Sequence, residues 1–114
     1  MDKIIIVEGT ADKQVLQKIL REEVEIVCTY GTFGVEKFDE MLETYDLDHR
    51  EVYIFVDADE SGVQLRKQLT AELPTAYHMY VPENYQEVER TPENILAQIL
   101  VQNHFHVNPI YLML

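Results

Sequence analysis

The chain opens on a continuous apolar, β-branched run, Lys3 to Val7 (KIIIV), the pattern of a strand buried on both faces. The spacing then changes. Val15, Leu16, Ile19 and Leu20 recur at the 3.6-residue period of a helix, with Asp12 placed to cap it. Glu25 to Tyr30 (EIVCTY) predicts a second short strand, closed by the punctuation Gly31-Thr32-Phe33-Gly34. Val35, Phe38, Met41, Leu42 and Tyr45 stripe one face of a second helix, and Asp46 to Arg50 is a polar break. Glu51 to Val56 (EVYIFV) is a third buried-type strand that runs straight into Asp57. Leu65, Leu69 and Leu73 mark a third helix from about Ser61, stopped by Pro74. Thr75 to Val81 predicts a fourth strand and Asn84 to Arg90 a polar, acidic loop. Thr91 as cap and Pro92 in the first turn begin a helix buried through Ile95, Leu96, Ile99 and Leu100. In the tail, 103–114, the apolar stretch Val107 to Leu114 is interrupted by Asn108-Pro109, and strand and helix both stay open for it.

Strands alternating with helices imply an α/β, three-layer Rossmann-like fold: a mainly parallel four-stranded sheet with right-handed crossovers and helices on both faces. In such sheets ligands bind beyond the carboxyl ends of the strands, where the strand order reverses. For the order 2-1-3-4 the reversal falls between strands one and three. Those two strands end in Glu8 and Asp57.

Length and composition add limits. The 114 residues suit one domain, 1–114, with a core of its own, and the 46% apolar content agrees. One cysteine, Cys28 in VEIVCTY, rules out an internal disulfide and a multi-cysteine zinc site, and reads as a small buried hydrophobe. No apolar run approaches the ~20 residues of a membrane span, and MDKIIIVEGT is too short and too soon acidic for a signal peptide. A cytoplasmic protein without a membrane partner is expected. The formal charge of −12, nine Lys and Arg against twenty-one acids, predicts a weak, salt-sensitive grip on any polyanion from this chain alone.

The chemistry-bearing residues sit where the topology converges. Glu8-Gly9 follows strand one, with Asp12 just beyond; Asp57-Ala58-Asp59 follows strand three, with Gly62 at the next turn. Carboxylates gathered at one sheet edge repel and raise one another's pKa values, a cost that a divalent cation removes. Hard oxygen ligands suit Mg²⁺, with Mn²⁺ as its substitute, shared between carboxylates and a substrate phosphate. The small Ala58 lets two alternate acids share one turn. Gly9 and Gly62 allow close backbone approach at helix entrances, where N–H groups favour anions. Lys13 beside the glutamate loop, and Arg66 with Lys67 on the third helix, are within the range of a phosphate, although basic residues on a helix are commonly a solvated face. His104 and His106 read as surface side chains and His78 as a packing residue in a strand.

KIIIVEGTAD followed by IFVDADESG (signature segments 3–12 and 54–62) resembles the two signature segments of the Toprim domain, shared by bacterial primases, topoisomerases, overcoming-lysogenization-defect nucleases and a ribosomal-RNA maturation ribonuclease. The resemblance covers nearly the whole chain. It implies that Glu8 is a general acid/base or metal-facing ligand, that Asp57 and Asp59 are the metal-binding acids of DxD, and that Asp12 is the acid closing the first segment. Gly31 resembles the family's glycine after strand two, and Arg66 the arginine of DxDxxGxxxR in the ribonuclease-like branch. Three positions depart from common patterns. Ala58 stands where many relatives have proline, Thr10 where the ribosomal-RNA nuclease branch commonly has lysine, and Val63 where topoisomerase-like versions have glutamate.

The resemblance implies Mg²⁺-dependent phosphodiester chemistry on nucleic acid, nuclease-like hydrolysis above all. Primases add zinc-binding and flanking domains, and topoisomerases a separate tyrosine-bearing domain, neither of which this sequence contains; Tyr30, beside Gly31, is the tyrosine nearest the expected site but is not expected to act as a nucleophile. The alternative is a non-catalytic module that binds metal and phosphate, or a nucleotide, and relies on a partner protein for a basic surface. Removing the five acids around the expected site (Glu8, Asp12, Asp57, Asp59, Glu60) still leaves −12 + 5 = −7, which favours that alternative.

Overall fold

In a computed structural model the described residues are 2–31 and 34–113; Met1, Thr32 and Phe33 of the expected glycine-bounded turn, and Leu114 of the tail lie outside them. The strands are β1 (Lys3–Val7), β2 (Glu25–Cys28), β3 (Glu51–Val56) and β4 (Tyr77–Tyr80), and the helices α1 (Thr10–Ile19), α2 (Val35–Thr44), α3 (Glu60–Glu72) and α4 (Glu93–Gln102). The four strands pair in parallel in the order β2-β1-β3-β4.

Parallel strands buried on both faces need apolar residues at every position, and the two central strands have them after their first residue, Ile4 to Val7 in β1 and Val52 to Val56 in β3. Ile5, Val7, Tyr53 and Phe55 face one way and pack against Leu16 and Ile19 of α1 and Leu96, Ala97 and Leu100 of α4. Ile4, Ile6, Val52 and Ile54 face the other way, against Phe38 of α2 and Leu65 and Leu69 of α3. The result is three layers with a hydrophobic core on each side of the sheet. Among the described residues no helix is long and apolar enough to cross a membrane.

Several boundaries differ from the sequence expectation, each for a local reason. β2 stops at Cys28, although Thr29 and Tyr30 still donate backbone N–H groups to Val7 and Glu8. Gly9, not Asp12, caps α1; Asp12 sits one turn in and its carboxylate reaches back to the Gly9 N–H at 3.1 Å. Thr91 does not cap α4 either. Pro92 holds that position, and the Thr91 hydroxyl donates to the Glu87 carbonyl instead. The second helix buries chiefly Phe38, with Met41, Leu42 and Tyr45 partly buried against the same core, while Val35 at its start is exposed. In α4 Ala97 is fully buried while Ile95 and Ile99 are half-buried, a shift of the buried face by one position. In the tail, Val107 makes an antiparallel bridge with Leu20, and Pro109–Leu112 forms a 3-10 turn. Cys28 is half-buried against the first of the two cores.

Candidate metal centre

β1 and β3 lie side by side in the sheet, so the residues that follow them emerge together at the reversal of strand order. Glu8, Asp57 and Asp59 converge there. Each offers one carboxylate oxygen to a set whose members all lie within 4.8 Å of one another, and each is half-buried.

Backbone amides fix the three side chains. One Glu8 oxygen accepts the Asp57 N–H at 2.9 Å, which ties the end of β1 to the end of β3. Asp57 Oδ1 accepts the Val88 N–H, and Asp59 Oδ1 accepts the Gly62 N–H, both at 2.8 Å. A carboxylate has two oxygens with two lone pairs each, so every acid keeps acceptor capacity for a cation. Asp59 therefore has two duties: it caps α3 and it faces the cluster.

Gly62 makes the compact DxD turn possible. A Cβ built on Gly62 would overlap the main chain of Asp57, so only glycine lets α3 begin this close to β3. Ala58 is held by a bond from its N–H to the Gln86 carbonyl at 2.6 Å. Gly31 is required for a different reason. Its φ of 101° lies where side chains are strained, while nothing occupies the space a Cβ would take.

Burial pushes the Asp57 carboxyl up to about 7; the Val88 N–H pulls the other way, and the charges of Glu8, Asp12 and Asp59 add to the rise. Asp12, almost fully buried, is also raised, first by burial and then, against its bond from Gly9, by Glu8 and Glu89. Negative charge is thus held together at a cost, and three hard oxygen donors at this spacing fit a divalent cation.

The other expected phosphate-facing residues are distributed differently. Gly9 lines the same cleft as Glu8 and Asp57, as do Gly31 and Asp12, but the Gly9 N–H is given to Asp12 and the Gly62 N–H to Asp59. Lys13 is half-buried in the first turn of α1. Arg66 turns toward the outer strand: it donates to the Met79 carbonyl at 2.7 Å and to His78 Nδ1 at 2.8 Å, and stacks over Tyr80 at 4.2 Å. His104 and His106 are exposed, and His78 is the half-buried partner of Arg66.

The segment read as a polar loop, 84–90, contributes more than its composition suggests. Val88 is fully buried in the core beneath the site and positions Asp57, while Glu89 lines the cleft. The visible signal was the isolated pair Tyr85 and Val88 within an acidic stretch, which marks an anchored strap.

The Toprim domain family model matches residues 3–84. The chain is 42% identical over 113 residues to the "Uncharacterized protein YusF" of Bacillus subtilis (strain 168), covering 98% of this chain and 75% of that protein. The solved structure of a small TOPRIM domain protein from Bacillus stearothermophilus superposes with a TM-score of 0.91 at 40% identity, across 98% of this chain and 93% of the other. With the sheet order, the acid cluster and these matches in agreement, the chain belongs to the Toprim domain family.

Proposed function

We propose that this protein carries out Mg²⁺-dependent phosphodiester chemistry on nucleic acid, most simply nuclease-like hydrolysis. The observation that supports this reading is the convergence of Glu8, Asp57 and Asp59 within 4.8 Å at the topological switch point. Asp57 and Asp59 would hold the ion, with Glu8 completing the set. A bound divalent ion, Mg²⁺ with Mn²⁺ as substitute, supplies charge neutralisation at a phosphate and a more acidic water. The chain's own residues orient that chemistry. The Asp57 N–H holds Glu8 at the mouth of the cleft, where its carboxylate can move a proton. Val88 and Gly62 keep the two aspartates in register.

A second reading is a module that binds metal and phosphate, or a nucleotide, without cutting, and works beside a partner protein that supplies a basic surface. Two observations favour it. The net charge stays at −12 + 5 = −7 when Glu8, Asp12, Asp57, Asp59 and Glu60 are set aside. The cap amides of Gly9 and of Gly62 in the first turn of α3, which an anion could otherwise use, donate inward.

Calorimetric titration with Mg²⁺ and Mn²⁺ tests both readings at once. Wild type is expected to bind and Asp57→Asn/Asp59→Asn is not. Cleavage of short structured RNA or single-stranded DNA then separates enzyme from module. Binding that survives in the double variant would move the metal elsewhere, and no binding by wild type sinks both readings.

A further inference from the structure

Tyr30 is exposed to 71% of its surface, yet it is held in a defined place beside the acid cluster. Its N–H donates to the Glu8 carbonyl at 2.7 Å, so its backbone is fastened to that of a cluster residue. Its hydroxyl lies 3.3 Å from Thr10 Oγ1, which bridges the ring to the first turn of α1. Its φ of 58° is left-handed, a conformation that a bulky side chain adopts only at a cost in free energy. A tyrosine that is strained at the backbone, fixed at both ends and bare on its surface contributes little to the core. Glycine would satisfy the same turn without strain.

The cleft beside the ring is acidic. Glu8, Asp12, Asp57 and Glu89 line it, and among the described residues that line it there is no lysine or arginine. A nucleic acid strand brought here gains no attraction from cations in the wall. Stacking of a base on an aromatic face is nearly independent of charge and tolerant of sequence. Bases within a duplex are already stacked on one another, so a free aromatic face selects an unpaired one.

We infer that Tyr30 is a stacking platform for an unpaired nucleobase, and that the substrate class of this site is single-stranded nucleic acid, or a strand end, with the neighbouring phosphate directed at Glu8, Asp57 and Asp59. The inference rests on the nucleic-acid reading above and adds the strand state of the substrate and a residue that recognises it.

The chain contains no tryptophan, so Tyr30→Trp places a single fluorescent reporter on the platform. In the presence of Mn²⁺, a short single-stranded oligothymidylate is expected to quench that reporter. An abasic phosphodiester chain of the same length, inorganic phosphate and a blunt duplex are expected to leave it unchanged. Tyr30→Gly, which relieves the left-handed strain, is expected to melt no lower than wild type while binding the oligothymidylate about tenfold more weakly. Tyr30→Phe is expected to keep most of the binding. Absent quenching by the oligothymidylate, equal quenching by the abasic chain, or unchanged affinity in Tyr30→Gly would overturn the inference. So would a large loss of thermal stability in Tyr30→Gly, which would make the ring a structural element. Metal calorimetry is read separately: failure there removes the metal reading whatever the fluorescence does, and a base-independent fluorescence response removes the platform while the metal site stands.

Discussion

A Cβ on Gly62 would lie 2.0 Å from the carbonyl oxygen of Asp57, far closer than a carbon atom can approach it. The first turn of α3 and the end of β3 are therefore built around the absence of one carbon atom. Gly62→Ala forces the backbone apart, and a cost of about 3 kcal/mol is expected, at the upper end of the range for overpacked sites. Gly31→Ala meets open space and is strained only by its φ, so roughly 1 kcal/mol is expected. Urea unfolding of both variants checks the order, and Gly62→Ala should also weaken Mn²⁺ binding because Asp57 and Asp59 flank the displaced segment.

The raised Asp57 carboxyl gives the metal-free protein a distinctive response to pH. Its folded value, about 7, lies above the ordinary carboxylate value of 3.8. The native state thus binds more protons than the unfolded chain between those two values, and this group's contribution to stability declines as pH rises through them. Asp12, raised in the same direction, adds to the slope. The melting temperature without metal should fall from pH 5 to pH 8, and Asp57→Asn should flatten that fall.

Proton and metal compete for the same oxygens, so added Mn²⁺ should act most strongly above pH 7. A ligand that binds only the folded state at a hundred times its Kd stabilises by about 2.7 kcal/mol. Thermal melts with and without Mn²⁺ at pH 5 and pH 8 should show a large shift at the higher pH and a small one at the lower. A shift that persists in Asp57→Asn/Asp59→Asn would place the ion away from the cluster.

Arg66 offers a contrast between anchoring and phosphate recognition. Its guanidinium donates to the main chain of β4 and lies on Tyr80. Arg66→Ala leaves those acceptors without their charged donor and should cost about 2 kcal/mol, in the range for hydrogen bonds to charged groups. Arg66→Lys should recover little of it, since an ammonium lacks the planar fork. Mn²⁺ affinity is expected to stay at the wild-type level in both.

Val88 links the strap to the site through its N–H and to the core through its side chain. Val88→Ala opens a small cavity, and a loss of about 2 kcal/mol is expected from the deleted methyl groups and the void. If the strap holds Asp57 in position, Mn²⁺ affinity should fall in the same variant under conditions where it remains folded.

Much of the fold was legible because parallel strands buried on both faces must be uniformly apolar. KIIIV and EVYIFV state that requirement directly, and their ends deliver Glu8 and Asp57 to one place. The caps were harder to read. Asp12 and Thr91 are good capping types, but Gly9 and Pro92 occupy the capping positions, while the Asp12 carboxylate reaches back to the Gly9 N–H and the Thr91 hydroxyl donates to the Glu87 carbonyl. The role of 84–90 was hidden by its charges: Val88 acts through a main-chain N–H, which every residue except proline carries and which leaves no mark in the sequence. The left-handed backbone of Tyr30 was equally silent, since tyrosine does not announce that conformation as glycine does.

The fastening of all three carboxylates by amides has a consequence for how the site tolerates substitution. Peptide N–H groups are present whatever the side chain, so the geometry of Glu8, Asp57 and Asp59 is insulated from most substitutions in the loops that carry it. Thr10 and Tyr30, which line the same cleft, take no part in those three bonds, so a change of either side chain leaves the fastening of the carboxylates in place.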